Sequence, residues 1–203
     1  MLSSKSTGWM LIMGIIAFVV MFISQTMQGD TDGTAGAVAW AASSNDWQIV
    51  MPMRMVTIML MLIFTVGFVS LARSISESNS VISIGAHFAL AALILMWVGF
   101  ISQLAGFDTA SDSTEPASAA HALVKFSNMS FWFGGAAYGV SFLLVGIKAY
   151  LNKVGTPASN GLLALLGLIA SAGSFVSWFL WMIGFGLGLV VLAIIGLQKI
   201  MRE

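Results

Sequence analysis

In so apolar a chain, chemistry must come from the few side chains that titrate, ligate or hydrogen-bond strongly, and His87 is the first of these. An imidazole can ligate haem iron or another metal, and it changes charge near neutral pH. His87 sits shortly after Val81 in an otherwise apolar run, so it is a candidate ligand for haem or a metal, or a residue handling a quinone. The plainer reading is a neutral imidazole hydrogen-bonded to a neighbouring helix or to interfacial water. His121, the other histidine, falls at the opposite end of the threading derived below, so the pair cannot sandwich one haem. No cofactor is therefore expected, with haem and quinone kept as alternatives.

A second group is polar. Gln25, Arg54, Gln103, His121 and Asn128, with Asp46, Ser127 and Ser130 nearby, are expected at one end of the fold. There they could line a vestibule. Equally, they could be interfacial residues satisfied by water and lipid headgroups, which is the more economical reading. Arg54, between Met53 and Met55, is expected to snorkel its guanidinium to the interface. Asn128-Met129-Ser130 matches a glycosylation sequon, but its expected depth argues against modification.

Other chemistries are missing. A charge at the centre of a membrane helix costs about 2.5–3.5 kcal/mol on insertion scales, so such groups mark ion and proton paths. No Asp, Glu, Lys or Arg falls mid-way along an apolar run here, which argues against a proton-coupled transporter or ion pump. The chain holds no cysteine, which excludes disulfides, thiolate metal sites and cysteine nucleophiles. Nucleotide-binding, metalloprotease and serine-hydrolase signatures are absent, and no base is placed to activate a serine. Met51, Met53, Met55, Met59 and Met61 could suggest thioether ligation of Cu(I), but without cysteine or more histidine they read as soft apolar filler. The chain is not expected to be an enzyme.

The elements that hold these residues follow from hydropathy. The chain has 203 residues, 59% hydrophobic and 8% charged, where soluble domains are about a quarter charged. Eight basic and eight acidic residues cancel, which argues against a nucleic-acid partner. Crossing the hydrocarbon takes roughly 20 apolar residues. The spans expected are Trp9–Met27, Met53–Ala72, Val81–Leu104, Phe126–Ile147, Gly161–Val176 and Trp178–Lys199, forming one membrane domain, 1–203. Pro52 suits the first turn of the second span, and 28–46 reads as a polar loop. Lys5 before an apolar run resembles a signal peptide, but the run exceeds a usual signal core and reads as a retained helix.

The final run, 161–198, would be about 57 Å long as a single helix, too long for one crossing. Two short spans turning near Ser171–Ser174 and Trp178 fit better, with a re-entrant hairpin as the alternative. Charge supports six spans with both termini in the cytoplasm. The inner segments then hold Lys5, Arg73, Lys148, Lys153, Lys199 and Arg202, opposed by Glu77 and Glu203. The outer ones hold Asp30, Asp32, Asp46, Asp108, Asp112 and Glu115, with Arg54 and Lys125 at span edges. Five spans would move Lys199 and Arg202 outside. Phe-Ile-Ser-Gln occurs at Phe22–Gln25 and again at Phe100–Gln103, through a duplicated helical hairpin or by chance.

Gly135 with Gly139, and Gly184 with Gly188, form GxxxG pairs that let helix backbones approach closely. Gly134–Tyr138 is a thin patch on the fourth span. These pairs imply tight packing without saying whether the partner helix belongs to the same chain. The leading expectation is an all-α, six-span bundle acting as a non-catalytic membrane subunit, assembling in the bilayer with other subunits or with itself. The alternatives are a channel or carrier for a neutral or apolar small molecule, and a haem or quinone redox protein using His87.

Overall fold

The computed structural model of the chain describes residues 2–28, 33–76, 79–112 and 114–201. Asp30, Asp32, Glu77, Arg202 and Glu203, which enter the charge argument, lie outside the described residues.

Local signals start and stop the helices. Asn79 accepts the Val81 amide proton at 3.0 Å through its side chain and opens α4, Ser80–Ser111. Thr156 accepts from Ser159 ahead of α6, Pro157–Val176, where Pro157 opens the first turn. The turn before it, after α5 (Ala117–Leu151), takes left-handed backbone at Lys153 and at Gly155, where φ is +77° and glycine suits it. Asn160 pins this turn by donating to the Val154 carbonyl at 2.6 Å. The remaining helices are α1 (Ser4–Gln28), α2 (Gly33–Ser43), α3 (Trp47–Ile75) and α7 (Trp178–Met201).

All seven elements found among the described residues are helices, and six are long and apolar enough to cross a membrane. The exception is α2, 11 residues long, inside the segment expected to be a loop. Its alanines favour a helix but, with its glycines, give little hydropathy contrast, and Ala37, Val38 and Ala41 are buried against the bundle. Propensity and packing agree on this element, since a helix this short needs its buried face to be stable. Pro52 also differs from expectation. The α3 helix begins at Trp47, so Pro52 lies inside it and supplies no amide proton to the helical ladder. The final apolar run does break in two, at extended Ser177, into α6 of 20 residues and α7 of 24. Both are long and apolar enough to cross.

The six long helices pack in chain order, α1 on α3, α3 on α4, then α5, α6 and α7, and α7 returns to α1 and closes a ring. Closure happens where Gly8 meets Gly196. A Cβ on Gly8 would fall 2.5 Å from the Gly196 carbonyl oxygen, so only glycine allows this crossing. Polar bonds tie other pairs: Thr7 to Ser70 at 3.1 Å, and Ser141 to the Gly85 carbonyl at 2.6 Å. The α2 helix lies across α4 and α5, with Trp40 edge-on to Phe107 at 5.6 Å. Outward faces are largely apolar, from Ile16 and Ile94 to Leu165 and Val176. A soluble monomer rarely presents so much contiguous apolar surface, whereas a multi-pass integral membrane protein does.

The ring has two unlike halves. In one, Phe64, Phe68, Tyr138, Phe142 and Phe185 are fully or almost fully buried and pack ring against ring. Tyr138 is held there by Thr65. The Thr65 hydroxyl donates to the Met61 carbonyl at 2.7 Å, so the Tyr138 hydroxyl donates to Thr65 Oγ1, 2.5 Å away. The other half holds a cavity.

Candidate functional site: a cavity around a buried arginine

The cavity measures about 560 Å³ and lies where α1, α4 and α6 end and where α3, α5 and α7 begin. Its polar end is built on Arg54, in the second turn of α3 and only 8% exposed. The structure departs here from snorkelling. The guanidinium turns inward, where Nη1 donates to Gln103 Oε1 at 2.6 Å and Nη2 donates to Gln25 Oε1 at 3.2 Å. Nη2 also donates to Gln28 Oε1. Gln25 and Gln28 reach the same group because residues three apart share a helix face.

These bonds fix the polarity of the site. An arginine has no acceptor, so each glutamine must turn its amide oxygen toward it, leaving the NH₂ as that side chain's donor. Thr57 and Ser174, also in the wall, commit their hydroxyl protons to the Met53 and Ala170 carbonyls at 3.1 and 2.9 Å. The Trp181 indole also lines the wall, but its unpartnered Nε1 is buried against Gly135 and is not offered to the cavity. No carboxylate is among the lining residues, and none pairs with Arg54 among the described residues. The polar end is thus a cationic, donor-rich nest.

The remaining wall is apolar and soft. Phe18, Phe100 and Phe131 line it with Met21, Met61 and Met96, whose flexible thioethers adapt to irregular shapes. Gly33 and Ala37 of α2 roof it. Trp132 and Trp178 line it while remaining 53% and 52% exposed, so the mouth lies between α5 and α7. Phe185 forms the floor. Trp181 stacks on Phe185 at 5.2 Å, and Phe185 stacks on Phe142 at 5.8 Å, which carries the wall directly into the aromatic core. A channel requires a lumen through the bundle; every lining residue here lies in one half of it, from Ala17 to Gln28 on α1 and from Arg54 to Met61 on α3.

The structure gathers Gln25, Arg54, Gln103 and Asn128 around one cavity, and Asn128 also reaches Thr34 of α2 at 3.5 Å. His121 is not in the wall, nor is Asp46. Ser127 is buried against α4 with an unpaired hydroxyl, outside the cavity wall. His87 faces outward from α4, with Nδ1 2.6 Å from the Ser83 carbonyl of its own helix. No group of three or more metal-ligating side chains converges among the described residues. Met51 and Met61 are buried whereas Met55 and Met59 face outward, so the methionine run does not converge either.

The glycine pairs are used within the chain. A Cβ on Gly139 would fall 2.7 Å from the Gly167 carbonyl oxygen on α6, and one on Gly184 would fall 2.9 Å from Ala170 Cα. Gly188 packs under Phe142, and Gly135 leaves room for Trp181, whose Cδ1 a Cβ there would approach to 3.0 Å. Gly135 thereby sets the position of a cavity-wall side chain. Gln28, Trp181 and the α2 roof are site components that the sequence reading missed. The Gln25–Gln28 spacing could have revealed the first of these.

A second, open depression lies in the α4–α5 connection beside Asp108, Asp112 and Glu115. Asp112 accepts from the Thr114 amide and hydroxyl at 2.9 and 2.7 Å, which holds its carboxyl below the usual range. No family of known proteins, curated protein or solved structure matches this chain.

Proposed function

We propose that this chain is a six-span integral membrane protein, with both termini in the cytoplasm, that binds a small, largely apolar molecule as a binding protein or carrier. The cavity carries the reading. Its volume falls in the range of about 300–1,000 Å³ usual for small-molecule sites. It combines an apolar aromatic wall with a few convergent polar groups, the composition such sites have. A lining confined to one half of the bundle favours binding or alternating access over an open pore. The distribution of Lys and Arg supports this orientation, in which the cavity mouth faces the outer side.

The accessory-subunit reading drew on the small-residue faces of α5 and α7. Those faces are covered by α6, Trp181 and Phe142 of the same chain, so they lend it no support. The redox reading drew on His87, which lies away from the cavity.

The test is ligand occupancy. Native mass spectrometry of protein extracted gently from its host membrane should detect a small molecule that Ala37→Phe, a roof substitution that fills the cavity, displaces. Protein that is empty in both forms, and whose tryptophan fluorescence responds to no apolar probe, would sink the reading.

A further inference from the structure

The arrangement at Arg54 says more than that an apolar molecule fits. We infer that the ligand is a single-chain amphiphile with an oxyanion head, carboxylate or phosphate monoester, seated on Arg54 with its tail along Phe131, Trp181 and Phe185. This deepens the binding reading and rests on it.

The first argument is charge. Arg54 is buried in an apolar bundle, and amide dipoles are its only partners among the described residues. Burying a cation costs several kcal/mol unless an opposite charge or a full set of hydrogen bonds compensates. Here the three glutamine oxygens orient the guanidinium without neutralising it. An oxyanion would supply the missing charge, and guanidinium geometry suits carboxylate and phosphate.

The second argument is the sign of the other polar groups. Orienting the arginine turns the Gln25 and Gln103 oxygens away from a ligand and leaves their amide NH₂ groups as donors. Neither of the wall hydroxyls, Thr57 and Ser174, has a proton left to give. A donor-rich end discriminates against cations and against groups that only donate. It favours an acceptor, and a buried cation with no carboxylate partner among the described residues makes that acceptor an anion.

The third is shape. The cavity is polar at one end and apolar along its length, and at about 560 Å³ it suits one chain. Trp132 and Trp178 at the mouth border the bundle exterior, so an amphiphile could enter sideways from the bilayer, head first toward Arg54.

The experiment uses the full-length protein in nanodiscs at alkaline pH, with empty discs as background. Dodecanoate, dodecyl phosphate, methyl dodecanoate and acetate are titrated while tryptophan fluorescence is read. Either anionic amphiphile should bind at least about tenfold more tightly than the neutral ester. Acetate should not compete, which separates an amphiphile head from a free anion. Arg54→Gln should erase the preference for the anions while keeping ester binding, and Arg54→Lys should retain part of it. Equal affinity for acid and ester in the unaltered protein would overturn the oxyanion head and leave the apolar cavity standing. Acetate competing as well as dodecanoate would overturn the amphiphile. No binding of any probe, or binding unaffected by Ala37→Phe, would overturn the cavity reading itself. The acid–ester comparison needs no variant, so it holds even if Arg54→Gln fails to fold.

Discussion

Gln103 Oε1 lies 2.6 Å from Arg54 Nη1, across two helices and 49 residues of sequence. The first Phe-Ile-Ser-Gln copy brings Gln25 to the same guanidinium, so both copies of that tetrapeptide converge on one arginine. Each residue here satisfies a group that the other would leave buried and unpaired. Arg54→Met and Gln103→Leu should therefore be strongly non-additive. Removing either partner alone orphans a buried polar atom, whereas the pair of substitutions removes both. A thermal-unfolding double-mutant cycle in detergent should give a coupling of about 1–3 kcal/mol. Additive losses would mean that the guanidinium is held by other groups.

How far this site could be read in advance depended on the kind of information each residue carried. Threading the charges put Gln25, Arg54, Gln103 and Asn128 at one end, because span order alone decides that. Arg54 pointing inward could not be read, since an arginine one turn from a span end has water within reach and snorkelling is the default. Three glutamine partners decide otherwise, and they come together only in the folded bundle. The α2 helix was hidden because alanine and glycine mark neither periodicity nor polarity. His121 shares a face of α5 with Asn128 but lies about two turns nearer the helix start, outside the cavity wall, a height that end-counting does not resolve. The glycine pairs signalled close packing, yet the identity of each partner helix required coordinates.

The absence of cysteine makes the orientation directly measurable. Ser43→Cys and Ser118→Cys, both exposed and at the cavity end, should react with a membrane-impermeant maleimide on intact cells. Ala158→Cys, exposed at the start of α6, should react only after permeabilisation. The opposite pattern would invert the bundle and place the cavity mouth on the cytoplasmic side.

Gly139 and Gly161 should respond oppositely to added bulk. Gly139 faces the α6 backbone, so Gly139→Leu forces α5 and α6 apart and should cost at least about 1–3 kcal/mol. It should do so without altering any oligomer, because the contact lies within the chain. Gly161, inside α6, has only a Tyr150 ring atom at 4.0 Å from an added Cβ. Gly161→Ala should be neutral or stabilise by about 0.5–1 kcal/mol through helix propensity. Size-exclusion chromatography with a melting curve reads both. A changed assembly size for Gly139→Leu with an unchanged melting temperature would point instead to an external partner.

The Tyr138–Thr65 pair gives the sharpest test of the aromatic floor, because proton direction makes the two substitutions unequal. Thr65 has one hydroxyl proton and gives it to the Met61 carbonyl, so toward Tyr138 it is purely an acceptor. Tyr138→Phe removes a donor and leaves Thr65 with its own bond intact, at a cost of about 0.5–1.5 kcal/mol. Thr65→Val keeps the shape but strands a fully buried phenol hydroxyl, which should cost more, about 1–3 kcal/mol. Combining the two should bring the loss back toward that of Tyr138→Phe alone, since the stranded hydroxyl is then gone. Thermal unfolding of the four proteins measures this order. Tyr138→Phe costing more than Thr65→Val would reverse the proton direction, with Thr65 donating to the phenol and the Met61 carbonyl left without its bond.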